Sequence, residues 1–180
     1  MHNSKVIKAT KYWLENIIIE FNFCPFAKRE FVNETIHYQV SEQTCTEGRL
    51  CEIVEQLKYL DLHKTIETSL VIIPTGLESF FDYLDLLSLA EETILQLNYE
   101  GVYQLASFHP DYCFEDLKQN DAANYTNRSP YPMIHILRES SLEKAIEFHE
   151  NPELIPEANI KNARAKGSET FKKILKDSLG

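Results

Sequence analysis

Apolar residues recur at helical spacing in three stretches of the chain. Over residues 4–21, Val6, Ile7, Leu14, Ile17, Ile18 and Phe21 fall on one stripe with Trp13 at its edge, and Asn3 or Ser4 is available as N-cap. That stretch predicts an amphipathic helix. Leu50, Ile53, Val54, Leu57 and Leu60 predict a second helix. A third is predicted to open with the capping box Thr75-Gly76-Leu77-Glu78, ahead of Phe80, Phe81, Leu84 and Leu87. These stripes are core positions and carry no function of their own.

Between the helices lie four short β-rich segments, Ile36 to Val40, Leu70 to Ile73, Val102 to Phe108 and Met133 to Leu137. The second is apolar throughout, as a strand buried on both faces must be. Two successive strand-helix-strand units predict right-handed crossovers between parallel neighbours, with the last strand returning antiparallel or joining elsewhere. The expectation is one α/β domain over residues 1–180, a mixed sheet of about four strands with helices packed on it. Two C-terminal helical pieces follow, the first after Ser140 and Ser141, the second begun by Pro156 and carrying Ile160, Phe171, Ile174 and Leu175 to dock at the domain edge.

Composition narrows the function classes. A net charge of -10 disfavours a nucleic-acid surface, because phosphate binding needs a basic patch. The longest apolar runs are far short of a membrane span, and the N-terminus lacks the apolar core of a signal peptide. Four cysteines without a CxxC pair read as reduced thiols, which predicts a cytoplasmic protein. The acidic charge makes a small molecule or another protein the expected partner.

The candidate chemistry lies in three places. The stretch from His109 to Tyr131 has no clear periodicity but is rich in rings and amides, and long loops inside compact domains are usually functional. Within it, Asn124, Asn127, Arg128 and Ser129 form a donor set suited to a carboxylate or phosphate, with Arg138 at the end of the last strand as a further candidate. The competing reading has Arg128 pairing with Asp111, Glu115 or Asp121 to pin the loop, and Arg138 solvated or paired with Glu139. Two X-Pro bonds, at Pro130 and Pro132, stiffen this segment and leave room for a cis bond. Cys24, followed by Pro25, is placed to cap a short helix through Phe31, where unpaired amides would lower its pKa; the bland alternative is a small buried hydrophobe. His109 and His135 each end or occupy a strand, and they are the metal candidates, with Asp111, Cys24 or Cys113 as a possible third ligand. No HExxH or paired-cysteine motif supports a divalent metal, so none is the preferred expectation. Cys45 and Cys51 read as structural or incidental.

At these residues the sequence resembles a bacterial family called domain of unknown function 1415. The resemblance rests on Cys24 to Ala27 (Cys-Pro-Phe-Ala), Phe108 to Asp111 (Phe-His-Pro-Asp), Asn124 to Pro132 (Asn-Tyr-Thr-Asn-Arg-Ser-Pro-Tyr-Pro) and His135 to Glu139 (His-x-Leu-Arg-Glu). It spans nearly the whole chain, implies no assigned activity, and leaves Cys113, Cys45 and Cys51 outside its pattern. The leading expectation is therefore a small-molecule enzyme for acyl or phosphoryl transfer or hydrolysis. Arg128 would hold an anionic metabolite, His109 would act as base and Cys24 as nucleophile. A metal-dependent enzyme using His109 and His135, and a non-catalytic binding module for a metabolite or protein, are the alternatives.

Overall fold

A computed structural model describes residues 2–147 and 151–180. The expected four-stranded mixed sheet is present. It comprises β1 (Ile36–Val40), β2 (Thr68–Ile72), β3 (Tyr103–Phe108) and β4 (Met133–Arg138), in the order β1-β2-β4-β3. Strands β1 and β2 are parallel neighbours, while β4 runs antiparallel to both β2 and β3. The second strand-helix-strand unit thus leaves a gap one strand wide, and the last strand fills it. β3 is parallel to β2 but not its neighbour, which corrects the expectation from the alternating element order. The reason lies in side-chain chemistry: β4 is buried on both faces at Met133, Ile134 and Ile136, so it belongs inside the sheet, while β3 exposes Gln104 and suits the edge.

Alternation along β2 and β4 sends their side chains to two separate cores. Leu70, Ile72 and Met133 face a layer formed by the first helix and the C-terminal helices, where Trp13, Ile17, Tyr125 and Phe171 are buried. Val71, Ile73, Ile134 and Ile136 face α3 (Thr46–Leu62) and α4 (Phe80–Gln96), packing against Ile53, Leu57, Tyr83 and Leu86. The sheet is the middle of three layers.

Helix ends depart from the sequence reading in informative ways. The stretch predicted as one helix over 4–21 is α1 (His2–Trp13) continued by a π-helical turn, Leu14–Ile19, in which Glu20 N–H reaches Glu15 O at 3.1 Å and Phe23 N–H reaches Ile18 O at 2.9 Å. α4 begins after Ser79, whose hydroxyl accepts from Asp82 N–H. The expected capping box at Thr75 is instead a turn in which Glu78 bonds Gly76 N–H. After α5 (Glu139–Glu147), the second C-terminal piece is two helices, α6 (Ile155–Lys166) and α7 (Ser168–Ser178). They are divided at Gly167, which sits at φ 78°, a conformation open to glycine at little cost. These helices do more than dock at the edge: Phe171 is fully buried against the rings of Phe21, Phe23 and Tyr125.

Phe171→Ala should therefore cost about 3–5 kcal/mol in urea denaturation, the range for a fully buried aromatic. A loss below about 1 kcal/mol would mean that α7 is an appendage and not part of the core.

Candidate active site

The long loop from His109 to Tyr131 is folded tightly on itself, and its polar residues hold it together. Asn124 is fully buried: its Oδ1 accepts from Phe114 N–H at 3.1 Å and its Nδ2 donates to Lys118 O at 2.9 Å. Arg128, also buried, donates from Nε to Tyr112 O at 2.9 Å and from Nη2 to Gln119 O at 2.8 Å, with its guanidinium over the Tyr125 ring. Ser129 bonds Tyr131 O, and Asn127 bonds Ser107 O. The expected anion cradle is thus occupied by the loop's own carbonyls. The guanidinium pins the loop as the structural reading held, although through carbonyls; Asp121 pairs with Arg164 at 2.8 Å instead. Trp13 Nε1 donates to Arg128 O at 2.8 Å and ties the loop to α1. All peptide bonds among the described residues are trans.

Arg138 is committed in the same way. It donates to Ile66 O, Leu60 O and the Tyr103 hydroxyl, whose own proton goes to Asp61 at 2.9 Å, so it closes the end of the sheet and does not pair with Glu139. The hydroxyls of Tyr99 and Tyr103 hold the Asp61 carboxyl below its usual range.

The two histidines of the metal expectation lie on opposite faces of the sheet. His109 is fully buried on the α4 side between the rings of Phe80 and Tyr83. Its Nε2 donates to Leu77 O at 2.9 Å and its Nδ1 accepts from Asp111 N–H at 3.0 Å, so neither nitrogen is left for a proton from substrate. Burial lowers its pKa despite the opposing Leu77 carbonyl and Asp111 charge. His135, opposite Leu70 in the β2–β4 register, faces the α1 layer. The two rings cannot share an ion, and among the described residues no group of three His, Cys, Asp or Glu side chains is placed to hold one. Cys113, four residues from His109, turns its thiol to Leu117 O at 3.4 Å.

Cys24 does not meet His109. It lines a cavity of about 80 Å³ between the π-helical turn, the short helix α2 (Ala27–Val32) and the sheet, and His135 lines the same cavity. Leu14, Ile18, Phe26, Leu70 and Phe108 supply most of its apolar wall. Of the charged residues on its wall, Arg29 pairs with Glu30 at 2.6 Å, whose carboxylate also accepts from the Thr35 hydroxyl, and Glu67 accepts from the Ser141 hydroxyl. The π-helical turn helps to shape this wall, since its wider winding carries Leu14 and Ile18 to the cavity; such insertions recur at functional sites.

Hydrogen bonding fixes the His135 ring. The Thr68 hydroxyl donates its one proton to Ile136 O at 2.6 Å, so its contact with His135 Nε2 has the imidazole as donor. Nδ1 then carries the lone pair, and no hydrogen bond among the described residues reaches it. Burial lowers the His135 pKa to about 4, which keeps the ring neutral. Cys24 does not cap α2, because Phe26 stands at the N-cap without a side-chain bond. Burial pushes the thiol up, against the weaker opposing pull of the Phe26 and Ala27 amides, so the predicted lowering is reversed. The cysteine that does cap a helix is Cys45, whose sulfur accepts from Gly48 N–H at 3.4 Å at the start of α3.

Cys24 to Ala27, Phe108 and His135 to Arg138, far apart in the chain, thus converge on one cavity. A family model described as Protein of unknown function (DUF1415) matches residues 5–173. The chain belongs to this family. Three of the four motif segments by which the sequence resembles DUF1415 contribute to the cavity wall, and the fourth, Asn124 to Pro132, packs behind it through Arg128 O and Trp13. No curated protein and no solved structure matches the chain. No described helix is long and apolar enough to cross a membrane.

Below about pH 6.5 an unfolded imidazole takes up a proton that folded His135 refuses until about pH 4. The unfolded chain then binds more protons, so stability falls as pH drops through that window, by an amount on the order of 3 kcal/mol from this residue. His109 acts in the same direction. Urea midpoints measured across this range should decline with acid, and His135→Gln should remove a large share of the slope; an unchanged slope contradicts the assignment. Separately, Arg128→Ala should lose about 3 kcal/mol and expose residues 110–120 to proteolysis, because two charge-assisted hydrogen bonds go with it.

Proposed function

We propose that the protein is a small-molecule enzyme of the acyl-transfer or hydrolysis class, with Cys24 as nucleophile and His135, in place of His109, as the proton acceptor. The supporting observation is that Cys24 and His135 both line one small apolar cavity, the imidazole being oriented by Thr68 so that its Nδ1 is bare. A nucleophile, a base and a third group that orients the base are the recurring parts of covalent catalysis.

The pair is neutral at rest. Attack by Cys24 Sγ on an acyl carbon forms the S–C bond as the thiol proton passes to His135 Nδ1. Collapse of the tetrahedral species breaks the bond to the leaving group, which takes that proton from Nδ1. Water then attacks the thioester, with the acid formed and the thiol regenerated. A 150 Å³ cavity holds benzene, so 80 Å³ suits roughly three carbons beyond the carbonyl. Four free thiols and the negative net charge support a reducing, cytoplasmic setting and a small-molecule partner in place of nucleic acid.

The reading is tested with p-nitrophenyl esters of increasing acyl length and intact-mass analysis. Short acyl groups should add to Cys24 with a burst of p-nitrophenolate, and the adduct should fail to form with octanoate. Cys24→Ala should abolish it and His135→Gln should slow it by about 10²–10⁴-fold. Adducts confined to the exposed thiols Cys45 and Cys51 would refute the assignment. Reversible occupation of the cavity without any adduct would leave a binding module.

A further inference from the structure

The cavity that holds Cys24 and His135 has two unlike ends. Its floor is two rows of the sheet, Thr68 opposite Leu137 and then Leu70 opposite His135. The next pair on that face, Ile72 opposite Met133, is fully buried and closes the space beyond. The charged wall residues lie at the other end, past Thr68. There Glu67 accepts from the Ser141 hydroxyl and donates its N–H to Thr35 O at 2.9 Å, while the Thr35 hydroxyl donates to Glu30, the partner of Arg29. Arg29 is the exposed residue among the lining residues described, with 57% of its side chain accessible, so the cavity meets solvent at its charged end.

The inner end is apolar. Trp13 packs edge-on against Phe108 with ring centroids 5.1 Å apart, and Phe108 lies 6.2 Å from the His135 ring, which places the start of the π-helical turn over the inner row. Leu14 and Ile18, 6% and 3% exposed, line the cavity from this turn. The turn is held by Glu20 N–H on Glu15 O, Phe23 N–H on Ile18 O and Trp13 Nε1 on Arg128 O. These bonds fix the backbone that carries both side chains, and close packing around buried residues resists their movement.

We infer that the substrate enters acyl end first, leaves its polar portion at the charged end, and has its acyl length set by Leu14 and Ile18. This inference rests on Cys24 as the reacting group. Leu14 and Ile18 touch the end of the chain and take no part in bond changes, so they are specificity determinants. The substrate class narrows to a short acyl group joined to a polar leaving group, because an apolar leaving group would cover Arg29, Glu30 and Glu67 without replacing their water.

Alkyl methanethiosulfonates test this with the full chain and without acyl transfer. Each forms a disulfide to Cys24 Sγ as its own S–S bond breaks, methanesulfinate leaves and the thiol proton passes to buffer. Rates at Cys24 are read by peptide mass mapping and divided by those of free cysteine. The propyl reagent should react at least about tenfold faster than the hexyl reagent, the scale for methylenes a pocket cannot take. The 2-aminoethyl reagent, of propyl length with a cationic tip, should also be slow, because its tip meets the apolar end. Leu14→Ala removes roughly three carbons of wall that neighbours refill only in part, and it should raise the hexyl rate about tenfold. Ile18→Val, a milder change, should raise the pentyl rate. Ile53→Ala, in the other core, is the control for general loosening and should leave the hexyl-to-propyl ratio unchanged. Equal propyl and hexyl rates, an aminoethyl rate matching propyl, or the same shift from Ile53→Ala overturns the inference. p-Nitrophenyl butyrate and hexanoate report separately on catalysis. Acylation of Cys24 with no length shift in Leu14→Ala keeps the catalytic reading and ends this one. A shifted thiosulfonate series without acylation keeps Leu14 and Ile18 as the limit on chain length and counts against acyl transfer.

Discussion

The arrangement depends on β4 lying between β2 and β3. An inserted antiparallel strand puts His135 opposite Leu70, deep under α1, where an imidazole must find a hydrogen-bond partner or destabilise the sheet. Thr68, on the neighbouring strand, is that partner, and its second bond to Ile136 O removes any freedom in the direction of the proton. One ring nitrogen is thereby consumed by the sheet and the other turned loose. The same insertion binds the long loop in place, since Ile73 N–H bonds Pro132 O and the Tyr83 hydroxyl spans Met133 O and Phe108 N–H.

Hydrogen bonding separates groups matched inside the protein from groups left open to a cavity more clearly than residue type does. Arg128, Arg138, Asn124 and His109 carry the chemistry a binding site would want, yet their principal donors and acceptors are matched inside the protein. Their work is to fold a loop with little regular structure, and buried polar groups of that kind must be paired. Cys24 and His135 differ because they line one cavity with the His135 Nδ1 left unengaged by any hydrogen bond among the described residues, and each is held neutral by desolvation. A neutral pair in an apolar chamber suits a proton transferred during attack, as in a serine–histidine pair, more than a resident thiolate.

Much of the fold was legible in the pattern of apolar residues, because burial sets periodicity directly. The four strands, the three helical stripes and the layer of helices on the sheet all follow from it. Strand order did not, since no local signal distinguishes β4 beside β2 from β3 beside β2; the exposed Gln104 of β3 is a faint hint of an edge. The cavity was half legible. Cys24 and His135 were both singled out, but their meeting at one cavity depends on how the chain folds over one face of the sheet, which no spacing reveals. The π-helical turn was hidden because its apolar stripe satisfies an ordinary helix as well.

The most direct test of a neutral Cys24–His135 pair is long-range nitrogen-15 NMR of the His135 side chain, recorded before and after alkylation of Cys24. The account predicts a protonated Nε2 and a bare Nδ1 that stay unchanged from about pH 5 to pH 8, and an Nδ1 resonance that moves when the thiol is modified. An Nδ1-protonated ring, titration near pH 6.5, or an Nδ1 signal indifferent to modification of Cys24 would contradict it.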